Sequence, residues 1–594
     1  MQKLRAHYKK VFISFNYLSR ILNILASGGR IYLVLIFLLA VLFGVLPSIS
    51  VLVMQAIINT LQTAEQSFQY IIILIAVYIG IDLFMGIAGV LSGYIESVLK
   101  MKSGITLKMS LLEKVKELSL KDFENTETYN LIQRAMGTSI ENLFSFFKSF
   151  VYVLQSFISL IMFSLILLSW HWWLLPIIVF VPMIGTFIAT HYGKKQFLIQ
   201  KERAGDARKQ WYYEFLLTND IAFKEIKTFN LGDHFRNKYK QLSLIFLKQD
   251  RQLLKRRTVA QSFLLIIDQV IIAVLFAFII LQAFMGQILL GDLIAYTRSM
   301  SNIKSSTQAL SSHVSAIYQN ILNISLYFDF IDMKSVTEEN IEEQPLTVIP
   351  SIEIKNLSYK YKGNDSYALK NINLKIERGN LIAFIGRNGS GKTTLVKILS
   401  ALYNDYQGDV YFGKQNLRNL NTEELRKKVG ILFQDFMKYE LSAKENVAFG
   451  QLEKIDNNSE ILEALIKTGM QEKIADLESQ LGFWFDDGVQ LSGGEWLRIA
   501  LSRAFIRDAE LFLLDEPNSA LDSVSERRVL KSFKELTSDK IGIIVSHRIA
   551  SIKNIVDQIV VFDDGCIQAC GTHDELLKTS EIYRKLYEQE NGIN

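Results

Sequence analysis

The stretch LIAFIGRNGSGKTTLVKIL contains G-x-x-x-x-G-K-T at Gly386–Thr393. It follows an apolar run and precedes helix-forming residues, the setting in which such a loop wraps its backbone amides around phosphate. Gly386, Gly389 and Gly391 let the chain bend, and Arg387, Asn388 and Ser390 complete the loop. Lys392 carries a cation for the β- and γ-phosphates. Thr393 offers a hydroxyl to Mg2+, and Thr394 stands next to it. Further on, ELFLLDEP (510–517) is an apolar strand run that ends in two acids. Beside a phosphate loop, Asp515 belongs next to Mg2+ and Glu516 is placed to polarise an attacking water as general base. Two such acids can also simply cap a following helix. IGIIVSHR (541–548) is a second buried strand run and ends in His547. A lone histidine is ordinarily structural; at a strand end in this setting it reads as a γ-phosphate sensor.

A second anion cradle lies about a hundred residues downstream. In QLSGGEWLRIALSRAF (490–505), Ser492, Gly493 and Gly494 form a turn that opens an amphipathic helix. Such a turn presents free N–H groups to an anion. Glu495 follows at once, and a carboxylate near phosphate repels it if the side chain points inward. It is expected to point away or to pair with a cation, and so to tune the rate.

Two kinds of chain must position these residues. From 351 onward, short β-rich runs alternate with helical ones, the pattern of a parallel α/β domain. Before it, six apolar runs lie near 31–61, 70–95, 145–169, 172–191, 260–284 and 288–312. Each is long enough to cross a bilayer. The sixth is too polar to face lipid all round and must line a wet or protein-packed interior. The short loops 62–69, 169–173 and 283–289 carry no Lys or Arg, whereas 97–142 and 192–259 are rich in both. The positive-inside rule then puts both termini and the long loops in the cytoplasm. Those long loops keep helical spacing and are expected to continue the membrane helices, joined by short crossing helices near 122–135 and 218–227. Residues 11–25 are amphipathic and read as a helix on the membrane surface, with a packed cytosolic helix as the alternative. Asp82 and Asp268 sit inside apolar runs, where an acid marks either a polar path for cargo or a helix–helix bond.

Bulk properties agree with a half-membrane chain. With 594 residues it exceeds one hydrophobic core, 49% of them are apolar, and mean hydropathy is positive. A net charge of +5, with no long basic run, argues against nucleic-acid binding. Cys566 and Cys570, the only cysteines, lack the further Cys/His pair of a zinc site. No cleavable secretory signal is evident.

The order of these motifs resembles the ATPase of ABC transporters over about 350–590, and the whole chain resembles their exporter class. The resemblance implies ATP and Mg2+ as cofactors. It implies that Tyr361, in LSYKYKG, stacks on adenine, and that Gln434, in ILFQDF, contacts Mg2+ and the attacking water. Ser492, Gly493 and Gly494 would be the signature turn, with Glu495 departing from the usual glutamine, and Ser519–Asp522 the D-loop. In that family the signature turn caps the ATP held by the opposite copy. One phosphate loop and six spans therefore imply a homodimer. The expected fold is an all-α six-helix transmembrane domain of ABC exporter type (1–330), a linker (331–350) and an α/β P-loop ATPase domain (351–594).

Within the exporters, FQDFMKYELSAKENV, LGFWFDDGVQLSGGEW and LLTNDIAFKEIK resemble nisin-type lanthipeptide exporters. The implied cargo is a ribosomally made, modified precursor peptide crossing a bacterial cytoplasmic membrane, beside a modifying dehydratase and cyclase. Lipid or drug export shares the fold and is the alternative. Exporters that also cleave the leader carry a cysteine-protease domain; no Cys precedes Cys566, so leader-peptidase activity is not expected.

Overall fold

The computed structural model describes residues 17–63, 67–136, 140–333, 348–518 and 520–590. They fall into two compact units. One comprises Met1–Leu118 and Asn125–Ser335, the other Ser119–Glu124 and Val336–Asn594. Most of the expected linker, 334–347, lies outside the described residues.

The first unit is helical: α1 (Arg30–Thr63), α2 (Phe68–Lys116), then, past the short α3 (Leu120–Glu124), α4 (Thr126–Met136), α5 (Ile140–Leu168), α6 (Leu174–Glu202), α7 (Ala204–Thr218), α8 (Asp220–Thr228), α9 (Gly232–Phe284) and α10 (Leu290–Ile331). Among the described residues, α1, α2, α5, α6 and α9 are long and apolar enough to cross a membrane. At 1.5 Å per residue, the 49 residues of α2 and 53 of α9 span about 70–80 Å. A hydrocarbon core is about 30 Å thick, so both helices run well beyond it. The expected crossing helices take shape as α3, α4 and α8.

The polar α10 is buried against protein. Ser299, Ile303, Ser306 and Thr307 are all buried, and Ser306 Oγ donates to Ser159 Oγ of α5 at 3.1 Å. Small hydroxyl residues let two helices approach closely, and each can bond its neighbour. The other intramembrane question resolves the same way. Asp268, on α9, is buried and pairs with Lys304 of α10; it is a helix–helix tie. Asp82 is exposed on α2 and has no partner among the described residues. The membrane-surface reading of 11–25 needs correction where it is described. Ile21 and Leu25 are fully buried in the core with Leu107, Tyr327 and Phe328. Arg20 is held by both oxygens of Asp332 at 2.6 and 2.7 Å. The apolar face is spent on protein; residues 11–16 lie outside the described part.

Among the described residues, the second unit carries ten strands: β1 (Ser351–Tyr359), β2 (Leu369–Glu377), β3 (Leu381–Gly386), β4 (Gln407–Phe412), β5 (Gln415–Asn416), β6 (Val429–Leu432), β7 (Leu511–Asp515), β8 (Ile541–Val545), β9 (Gln558–Asp563) and β10 (Cys566–Gly571). An antiparallel sheet runs β2-β1-β4-β5. A six-stranded sheet runs β10-β9-β3-β8-β7-β6, parallel from β9 to β6. Every residue of β3, β7 and β8 is buried, as expected for a parallel sheet covered on both faces. Alternate residues of β3 serve the two cores: Ile382 and Phe384 pack on one side, Leu381, Ala383 and Ile385 on the other. Helix α3 belongs to this unit, where Leu120 packs on the first of these cores and Tyr403 Oη donates to Glu124 at 2.7 Å.

Candidate nucleotide site

In an open parallel sheet, ligands bind beyond the carboxyl ends of the strands. Strands β6, β7, β8 and β3 are neighbours here, and their exits carry Gln434, Asp515–Glu516, His547 and the loop from Gly386 to Lys392. Parallel register sets Asp515 opposite Val545 and Phe384 beside the same Val545. Acids, histidine and phosphate loop are thereby gathered from segments far apart in sequence. The cleft at these exits measures about 700 Å³; Asp515, Gly386 and Arg387 lie behind its walls and do not line it. Its walls include Tyr361, Asn388, Gly389, Ser390, Gly391, Lys392, Thr393, Thr394, Gln434, Glu516 and His547. Asn364, Ser366, Tyr367 and Asp564 also face it. Sequence reasoning missed these four; the first three follow Tyr361 in one polar loop, and Asp564 sits in the β9–β10 turn.

The loop's shape depends on glycine at its entrance. A side chain at Gly386 would put Cβ 2.1 Å from the Phe562 carbonyl, and φ is +155°. Lys392 opens α11 (Lys392–Leu399) and is buried. Its ammonium donates to the carbonyls of Gly386 and Arg387, both at 2.9 Å. Burial pushes the Lys392 pKa down, against the pull of Glu516 and Asp515. Tyr361 is anchored by a 3.0 Å bond between its hydroxyl and Thr394 Oγ1, and meets Tyr403 edge-on.

Asp515 is 1% exposed, and neither of its oxygens has a hydrogen-bond partner among the described residues. Burial pushes this carboxyl above the ordinary carboxylate range; the nearby Thr393 hydroxyl and the Lys392 charge only moderate the shift, Thr393 lying outside bonding geometry. A buried acid with idle oxygens beside a threonine hydroxyl fits Mg2+, which takes one or two protein oxygens and fills its octahedron with water and phosphate. Glu516 behaves differently. Its backbone is left-handed, φ +54°, and its amide donates to the Val545 carbonyl at 2.9 Å. Its carboxylate is held from two sides. Gln434 Nε2 donates to Oε2 at 3.0 Å, and His547 Nε2 lies 2.7 Å from Oε1.

Ser492, Gly493 and Gly494 are not in this cleft. They start α12 (Gly493–Phe505), and a Cβ at Gly494 would stand 2.6 Å from the carbonyl of Ala520. The signature turn therefore leans on the segment after Glu516. Of the expected D-loop, Ser519 lies outside the described residues. Asp522 caps α13 (Ser523–Leu536), accepting from the amides of Val524 and Ser525, both at 3.0 Å.

A glycine-rich loop opening a helix, two acids and a histidine at neighbouring strand exits, and a unit of membrane-length helices are the arrangement of an ATP-driven membrane transporter. Residues 33–305 match the ABC transporter transmembrane region family, and residues 369–519 match the ABC transporter family. The chain is 34% identical to the subtilin transport ATP-binding protein SpaT of Bacillus subtilis over 559 residues, covering 93% of this chain and 91% of that one. It is 32% identical to the nisin transport ATP-binding protein NisT of Lactococcus lactis over 589 residues, covering 98% and 97%. The ATP-dependent lipid A-core flippase of Escherichia coli K12 matches at 25% over 523 residues, 87% and 88% of the two chains. In fold, the chain is similar to a bacterial Atm1-family ABC exporter with ATP bound, at TM-score 0.79 and 19% identity over 94% of this chain and 99% of that one. The chain belongs to the ABC transporter family, as an exporter that joins a helical membrane region to one ATPase. It is a multi-pass membrane protein that binds ATP and couples its hydrolysis to transport.

Proposed function

We propose that the protein exports a ribosomally made, modified peptide of the lanthipeptide class across the cytoplasmic membrane, working as a homodimer. The observation that carries the cargo is near-full-length identity of 34% and 32% to proteins named for subtilin and nisin transport, against 25% to a lipid flippase. The Lys/Arg-rich segments support a cytoplasmic position for the termini and the ATPase, where a modifying dehydratase and cyclase would deliver the peptide.

Within each ATPase, Tyr361 stacks on adenine, and the 386–394 loop holds the phosphates. Thr393, Asp515 and Gln434 hold Mg2+, which when bound neutralises charge on the β- and γ-phosphate oxygens. Glu516 accepts the proton of the attacking water, and His547 reports the γ-phosphate. Ser492, Gly493 and Gly494 cap the ATP of the opposite copy, which explains why the turn stands away from its own chain's cleft. Binding energy shared across two copies favours their closed arrangement, and hydrolysis removes it.

Deleting the gene in its host should trap thioether-bridged peptide inside the cell, as read by mass spectrometry of cells and medium. Normal peptide release with failed drug or lipid efflux would establish the alternative cargo.

A further inference from the structure

The acid that replaces glutamine after the signature turn has a defined position. Ser492 N donates to Glu495 Oε2 at 2.7 Å, and Glu495 N donates to Ser492 Oγ at 3.3 Å. The two residues form a reciprocal cap on α12. Glu495 Oε1 faces the Lys473 ammonium at 3.7 Å. Ser492 Oγ accepts from the Glu495 amide, and its hydroxyl lies close enough to the Glu495 carboxylate to help hold it ionised. The amide and hydroxyl of Ser492, both aimed at an anion in the signature reading, are thus engaged by a carboxylate of their own chain. Burial raises the Glu495 carboxyl, but the Ser492 bonds and the charges of Lys473 and Arg498 outweigh it, so the group is ionised at neutral pH.

A glutamine here makes the same cap with a neutral oxygen. The glutamate strengthens the helix start through the helix dipole, and it puts a full negative charge within one turn of the signature hydroxyl. Lys473 offsets part of it.

We propose that Glu495 is a positioning residue that acts as a charge brake on the signature turn, weakening its grip on the terminal phosphate of ATP, with Lys473 setting how hard the brake is applied. This rests on the reading that the turn serves the opposite copy.

The test is Glu495→Gln in the full-length, reconstituted protein. KM for ATP should fall about fivefold, the effect of one charge at partly screened range. The difference should shrink as salt is raised, because exposed charges are screened. Lys473→Met should raise KM in the Glu495 protein and leave it unchanged in Glu495→Gln. A residue that merely caps the helix would leave KM and its salt dependence alone in Glu495→Gln, and that result overturns the inference. So does an equal Lys473→Met effect with either residue at 495.

Mixed dimers separate the inference from the reading beneath it. One copy carries Lys392→Ala, so a single intact phosphate loop remains, and its affinity for Mg-ATP is measured. Glu495→Gln on the Lys392→Ala copy should tighten that site; on the other copy it should not. The reverse pattern defeats the cross-copy reading, and no change from either placement defeats the brake.

Discussion

The Glu516 carboxylate and the His547 ring meet at 2.7 Å, while Gln434 approaches the other carboxylate oxygen at 3.0 Å. The carboxylate proposed as general base is thus held between the exits of β6 and β8. Its left-handed backbone, of a kind that costs about 1–3 kcal/mol, aims the side chain there. Glu516→Gln should bind ATP normally and lose about 100- to 10,000-fold in steady-state turnover. His547→Ala should leave ATP affinity near normal but lower kcat by about 100-fold, the scale of a small misplacement of a reacting group. ATPase rates and equilibrium nucleotide binding on purified protein check both.

Lys392→Ala removes the ammonium from the phosphate loop. ATP should bind more weakly by about 1.5–3 kcal/mol, the value of a hydrogen bond to a charged group. Titration calorimetry with Mg-ATP reads the loss. Unchanged affinity would remove the loop from the site.

Asp515 makes a prediction about stability. Its folded-state pKa is raised, chiefly by burial. A carboxyl with a raised folded pKa favours folding when protonated, so its contribution is best at low pH and is lost as pH rises through that pKa. In nucleotide-free protein, Asp515→Asn should raise the unfolding temperature at neutral pH by a few degrees, roughly 2–4 °C per kcal/mol for a domain of this size. The gain should vanish as pH falls toward the ordinary carboxylate range. The same substitution should weaken Mg2+-dependent ATP binding. A variant that is less stable at neutral pH would contradict the idle, desolvated carboxylate.

The Asp268–Lys304 pair ties α9 to α10. Lys304→Met leaves a buried acid alone and should cost about 3–5 kcal/mol. Adding Asp268→Leu should recover most of it. Thermal unfolding in detergent measures both, and peptide export should recover along with stability in the double variant. Restored stability with export still lost would put the pair on the cargo path.

The nucleotide chemistry was legible because its residues sit in contiguous motifs at strand ends, where burial and spacing speak together. Gly386–Thr394 is legible from its spacing between an apolar run and a helix, and Asp515, Glu516 and His547 from strand ends whose meaning comes from that loop. Gln434 and Tyr361 came from family likeness, since neither stands in a pattern that physics alone singles out. The pairing of Asp268 with Lys304 was hidden because the partners lie on different helices and α10 looked merely polar. Ser492 and Glu495 form an S-x-x-E cap plain in the sequence, yet the motif was read for its anion and not for its helix. The burial of Ile21 and Leu25 was missed because an amphipathic face does not say whether lipid or protein covers it.

Helix α3 sets a schedule for biosynthesis. Glu124 and its partner Tyr403 are 279 residues apart, and Leu120 packs into a core made of residues beyond 348. At roughly 5–20 residues per second, the ribosome delivers that partner on the order of half a minute after Glu124 emerges. The second unit is stitched from an early and a late piece, so it cannot mature domain by domain in simple N-to-C order. A fragment starting at the phosphate-binding domain would leave the Tyr403 hydroxyl without its Glu124 acceptor, and the nascent chain must keep a five-residue hook in reserve until the strands it packs on have been made.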